Sequence, residues 1–137
     1  MDGERLTYLD ASALVKLVVE EAESPDLRRH LAGARCVTSR IARVEVACVA
    51  ARLLAGEGAA RVRRELARCA TVSIDRAAGD AERLGGLGLR ALDTVHLATM
   101  ALLGDALGES VVYDRRLAAA AAARGFAVVA PGLAPPS

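Results

Sequence analysis

Four carboxylates stand in neighbourhoods where a charge is not expected by default. Asp10 ends a short apolar run, Leu6-Thr-Tyr-Leu9, and Asp114 ends another, Ser110-Val-Val-Tyr113. Glu45 interrupts Ile41-Ala-Arg-Val-Glu-Val-Ala-Cys-Val-Ala on the flank of an apolar helical stripe. Asp93 sits in Ala-Leu-Asp-Thr-Val-His-Leu-Ala-Thr-Met, at the first turn of an otherwise apolar segment. Each residue also has a plain structural reading. Asp10, Asp93 and Asp114 can cap helix N-termini, and Glu45 can snorkel or pair with Arg52. If the four meet, their mutual repulsion requires a cation. A ligand set of hard oxygens selects Mg²⁺, with Mn²⁺ as substitute, over zinc. Such a metal lowers the pKa of its bound water and stabilises charge developing on a phosphoryl oxygen.

The elements that must position these residues read as short strands alternating with helices. Leu6–Leu9 is a strand that passes at Asp10 directly into a helix with apolar positions Leu14, Leu17 and Val18. Ser24-Pro25 opens a helix to about Ala32, and Cys36-Val37-Thr38 is a second strand. Ser39 caps a helix from Arg40 to about Ala55, ending at Gly56-Glu-Gly58, and residues 59–69 form an arginine-studded helix. Thr71–Ile74 is a third strand, Asp75 caps a helix ending in Gly85, Gly86 and Gly88, and Leu92–Ala106 is helical. Ser110–Tyr113 is the fourth strand. Asp114 then caps an alanine helix closed by Gly125, and Phe126–Val129 is the last strand. This alternation implies an α/β fold: a three-layer α/β/α sandwich around a short central parallel sheet. In such a sheet Asp10 and Asp114 share the carboxyl edge, where ligand sites form. Residues 1–131 read as a single domain and 132–137 as a C-terminal tail, frayed from Pro131 onward.

Composition narrows the function. With 137 residues, 53% of them apolar, the chain fits one domain. Three cysteines (Cys36, Cys48, Cys69) without a CxxC pair, and only two histidines, speak against structural zinc and for a reducing compartment. The chain has neither a signal-peptide start nor a stretch of 18 apolar residues, so the expected location is the cytoplasm, with no membrane contact. The net charge of +1 conceals a segment, 28–68, with ten arginines against Glu45, Glu57 and Glu65. That segment can hold a polyanion or simply be solvated helix surface. An acidic pocket beside a basic rim is what a metal nuclease needs. Lys16, the one lysine, is expected to be solvated. A phosphate-binding P-loop is excluded for lack of GxxxxGK[ST]. Phosphoaspartate chemistry at Asp10 fits poorly, because Ser12 stands where a second Asp would be required.

The segments Leu9-Asp10-Ala-Ser12-Ala-Leu, Val44-Glu45, Leu92-Asp93-Thr-Val-His96-Leu-Ala and Val-Tyr113-Asp114-Arg-Arg-Leu resemble, in order and spacing, the four motifs of PIN-domain ribonucleases. In length and layout the chain is most similar to the VapC-type toxins of bacterial VapBC toxin–antitoxin pairs. The resemblance implies a Mg²⁺-dependent endoribonuclease leaving a 5′-phosphate and a 3′-hydroxyl. It implies an acidic quartet of Asp10, Glu45, Asp93 and Asp114, with Asp10 and Asp93 as the most direct ligands and Ser12 in support. It also implies an RNA substrate, a cognate VapB-type antitoxin and a homodimer. The Leu53/Leu54 helix and segment 59–68 offer a surface for a partner helix. Two departures exist: Val112 replaces a frequent hydroxyl residue, and Arg115 and Arg116 follow Asp114 where a further acid often stands. One metal or two remain open on that basis, as do a degenerate PIN-like binding module and a housekeeping PIN nuclease. His96 is expected to pack or support the site rather than to catalyse.

Overall fold

The computed structural model describes residues 5–84 and 88–134. Among them five strands, β1 (Leu6–Leu9), β2 (Arg35–Ser39), β3 (Ala70–Val72), β4 (Leu107–Val111) and β5 (Val128–Val129), form one sheet in the order β3-β2-β1-β4-β5. Every pairing is parallel. The helices are α1 (Ala11–Val18), α2 (Ser24–Leu31), α3 (Arg40–Leu53), α4 (Gly58–Leu66), α5 (Ile74–Leu84), α6 (Ala91–Leu103) and α7 (Arg115–Ala123). The expected three-layer α/β/α architecture is what the chain adopts.

Side-chain alternation along the central strands builds both cores. Leu9 and Val111 face the layer of α1–α4, where they join Leu14, Val18, Leu27, Leu31 and Val46. Their neighbours Tyr8 and Val112 face the opposite layer, with Leu97 and Met100 of α6 and Leu117 of α7. Burial on both faces explains the mostly apolar run of β1 and the Val111-Val112 pair at the end of β4.

Several boundaries differ from those the sequence suggests. Ile74 begins α5 instead of ending β3, and the Ser73 hydroxyl, not Asp75, accepts the Arg76 N–H (3.4 Å). A β-branched residue fits a strand end as well as a helix start, so propensity could not decide its place. Strand β4 runs Leu107–Val111, beginning earlier than expected and stopping before Tyr113. Helix α6 stops at Leu103, and Gly104–Ala106 form a 3₁₀ turn. The expected end of α5 in Gly85 and Gly86 lies outside the described residues. The segment after Pro131 is tied down at its start: the Tyr113 hydroxyl donates to Pro131 O (2.8 Å) and the Leu133 N–H to Ala130 O (3.0 Å).

Glycine at position 58 is required by proximity. A Cβ there would lie 2.7 Å from Ala50 O, on backbone that cannot swing away. Helix α4 starts against α3 because Gly58 has no side chain. Gly58→Ala is therefore expected to destabilise the protein by about 1–3 kcal/mol, read as a lower urea midpoint at unchanged slope.

Candidate active site

The chain leaves β1 towards β2 on one side and leaves its neighbour β4 towards β5 on the other, so a crevice opens between β1 and β4 at their carboxyl ends. The sequence places a capping residue at each strand exit there. Asp10 follows β1 and caps α1: its Oδ1 accepts the Ala13 N–H (3.0 Å) and the Ser12 hydroxyl (2.7 Å). Ser39 ends β2 and caps α3, which carries Glu45 one to two turns on. Asp114 follows β4 and accepts the Leu117 N–H at Oδ1 (3.1 Å). Helix α6, opened by Arg90, adds Asp93 and His96.

The four predicted carboxylates and Ser12 all line one cleft of about 330 Å³, together with Arg90 and His96. A larger cavity of about 890 Å³ lies between α7 and β5. It is walled by alanines, valines and Leu133 with Tyr113 and Arg115, and contains no carboxylate.

The cleft shows which structural partners each residue takes. Asp10 and Asp114 do cap helices, through Oδ1. Asp93 does not cap α6: it is only 7% exposed, and its Oδ2 is fully buried without a hydrogen-bond partner. Glu45 pairs with His96, whose Nε2 lies 3.1 Å from Oε1, not with Arg52. The His96 ring is 2% exposed and its Nδ1 meets the Tyr8 hydroxyl at 2.6 Å. A carboxylate only accepts, so in the neutral ring Nε2 carries the proton and Nδ1 accepts from Tyr8. His96 thus holds Glu45 in place, the supporting role expected of it. Ser12 links two motifs: it donates to Asp10 and accepts the Tyr113 N–H (2.8 Å).

Electrostatically the cleft is under tension. Burial, opposed by the Ser12 hydrogen bond and the neighbouring His96, pushes the Asp10 carboxyl from 3.8 up to about 6. Burial likewise raises the Tyr8 hydroxyl, with Asp10 and Glu45 adding to it. A desolvated carboxylate, an orphaned buried carboxylate oxygen and an all-oxygen donor set fit a hard divalent cation. The carboxylates line the cleft without closing into a cage. Among the described residues no three acidic, histidine or cysteine side chains sit close enough to form a ready ligand group.

Three readings of basic residues need correction. Lys16 is not solvated: it bridges Glu21 (3.1 Å) and Glu23 (2.6 Å) and lies 4.7 Å from the centre of the Tyr113 ring. The basic segment 28–68 is partly structural. Arg43 and Arg61 donate to the carbonyls of Leu66 and Val18 at helix ends, while Arg28 and Arg29 pair with Glu20 and Asp26. The arginine that lines the cleft is Arg90, outside that segment, and its position just before Asp93 was the available signal. The Leu53/Leu54 surface also divides: Leu54 packs on the core, and Leu53 is 61% exposed.

A parallel α/β domain with paired acids at its strand exits is the architecture of the PIN domain, and the chain belongs to that family. The PIN-domain family model matches residues 7–123. The chain is similar to Ribonuclease VapC46 of Mycobacterium tuberculosis, 45% identical over 129 residues that cover 90% of this chain and 96% of that protein. Ribonuclease VapC35 of the same organism is 40% identical over 135 residues, covering 94% and 99%. Among solved structures, M. tuberculosis VapC20, a toxin that cleaves the sarcin–ricin loop, superposes with a TM-score of 0.72 at 18% identity (91% of this chain, 99% of that one). A toxin–antitoxin complex from Klebsiella pneumoniae gives 0.68 at 21% identity (91% and 97%). These last two comparisons bear on the fold.

Proposed function

We propose that the protein is a divalent-metal-dependent endoribonuclease and the toxin of a VapBC-type toxin–antitoxin pair. The observation that carries the reading is the meeting of Asp10, Glu45, Asp93 and Asp114 in one cleft, with Asp93 Oδ2 buried and unpartnered. The naming of relatives at 35–45% identity as VapC ribonucleases supports it.

Asp10 and Asp93, supported by Glu45 and Asp114, would hold Mg²⁺ or Mn²⁺. The ion would supply an activated water and charge neutralisation at the phosphoryl oxygens. The remaining work belongs to the chain itself. Ser12 fixes Asp10 and the Tyr113 backbone, so two motifs keep their spacing. His96, oriented by Tyr8, holds Glu45. Arg90 lines the same cleft with a permanent positive charge suited to an RNA phosphate.

The cognate partner would be a VapB-type antitoxin, and the working form a homodimer in the cytoplasm. Among the described residues no helix is long and apolar enough to cross a membrane. The test is cleavage of pooled bacterial tRNA and rRNA with Mg²⁺, with Mn²⁺ and with EDTA. Discrete cuts that EDTA abolishes are expected. Cuts that persist in EDTA would overturn the metal role. Intact RNA under all three conditions, from protein that binds no Mn²⁺, would favour a PIN-like binding module.

A further inference from the structure

We propose that Cys36 and Cys69 form a peroxide-oxidisable dithiol that closes to an intramolecular disulfide, tying β2 to the segment that enters β3. The sheet register brings them together. Val37 pairs with Ala70 and Thr38 with Thr71 in parallel, so one step back on each strand sets Cys36 against Cys69. Adjacent strands lie about 4.8 Å apart, inside the Cα separation a disulfide spans. Both side chains are buried in the same core cluster, and the Cys36 thiol also lies 4.0 Å from Ala34 O. The third cysteine, Cys48, is exposed on α3 and serves as an internal control.

The environment assigns roles. The neighbouring Cys69 thiol, opposed by burial and aided by Arg68, draws the Cys36 thiol below its ordinary value. The Cys36 thiol, and burial, push Cys69 up. In the proposed step Cys36 attacks as thiolate and Cys69 resolves. The Cys36 thiolate attacks hydrogen peroxide, breaking the O–O bond to give a sulfenic acid and hydroxide. The Cys69 sulfur then attacks the sulfenic sulfur: the S–S bond forms and the S–O bond breaks. Hydroxide leaves and, with the Cys69 proton, becomes water. Peroxide is reduced by two electrons, and the two thiols are oxidised.

The disulfide would close a loop containing α3 and α4, and restricting that loop in the unfolded chain raises stability. Both cysteines precede the paired stretch of β2 and β3, whereas the acidic cleft lies at the carboxyl edge, so the bond does not reach the cleft. The experiment treats the reduced full chain with stoichiometric hydrogen peroxide. Readouts are thiol titration, peptide mass mapping and the thermal midpoint, with and without reductant. Expected are one remaining thiol per chain, a linked Cys36–Cys69 peptide lighter by two hydrogens, and a midpoint several degrees higher that reductant reverses. Cys48→Ser should behave alike with no thiol left, and Cys69→Ser should stop at oxygen adducts on Cys36. Wild-type protein that keeps three thiols, gains only oxygen adducts, or links through Cys48 would overturn the proposal.

Discussion

Asp93→Asn is expected to lower RNA cleavage by about three orders of magnitude and to leave the thermal midpoint of the metal-free protein within a few degrees of wild type. The separation of the two effects follows from what Asp93 does not do. It makes no capping bond to α6, and its Oδ2 is buried without a partner. Asparagine has nearly the same volume, so packing around the α6 start survives, while the charge that would hold the cation is lost. A purely structural Asp93 predicts the reverse, a large fall in midpoint with cleavage preserved in the folded fraction. Initial cleavage rates at saturating Mn²⁺, beside a calorimetric scan of the same preparation, distinguish the two. Wild-type rates from the variant would remove Asp93 from the site.

The contrast between Asp93 and Asp114 also shows what sequence could and could not resolve. Both stand at helix starts, and a first-turn carboxylate looks the same in sequence whether it caps or waits for a ligand. Only the three-dimensional environment separates an Asp114 that accepts the Leu117 N–H from an Asp93 that accepts nothing at Oδ2. The fold was legible because the apolar runs Leu6–Leu9 and Val111–Val112 are each followed by an aspartate near the strand exit. Such a pattern has few solutions other than a parallel sheet with its acids at one edge. Strand lengths were not legible. β5 pairs over only two residues, and β4 gains Leu107, Gly108 and Glu109 through pairing with β1, which a local window cannot register. Arginine roles were hidden for a similar reason. Arg43 and Arg61 bind carbonyls distant in sequence, so composition counted them as basic surface when they complete helix ends. His96 illustrates the middle case: its spacing from Asp93 put it on the right face, but its partners Tyr8 and Glu45 come from two other elements.

Asp10→Asn is expected to abolish cleavage and, in the metal-free protein at neutral pH, to stabilise the fold by about 2–3 kcal/mol. Burial raises this carboxyl from 3.8 to about 6, a gap corresponding to about 3 kcal/mol. The folded-state value is the higher one, so the unfolded chain ionises first as pH rises. The stabilising contribution is therefore complete below the unfolded pKa of 3.8. It is lost progressively as pH climbs from 3.8 to about 6, and above that the full cost of a desolvated carboxylate is borne. Asparagine escapes this cost, because its carbonyl oxygen still accepts the bonds from Ser12 and Ala13 that fix the α1 start. Urea unfolding at pH 4, 5, 6 and 7.5 in EDTA should show wild type and variant converging at the acid end and separating above pH 5. Mn²⁺ added at pH 7.5 should then raise the wild-type midpoint and leave the variant nearly unmoved, since a cation compensates only a charge that is present. A variant less stable than wild type at pH 7.5 in EDTA would mean that the Asp10 charge is already satisfied within the protein, and that the cleft is not built around a missing counter-ion.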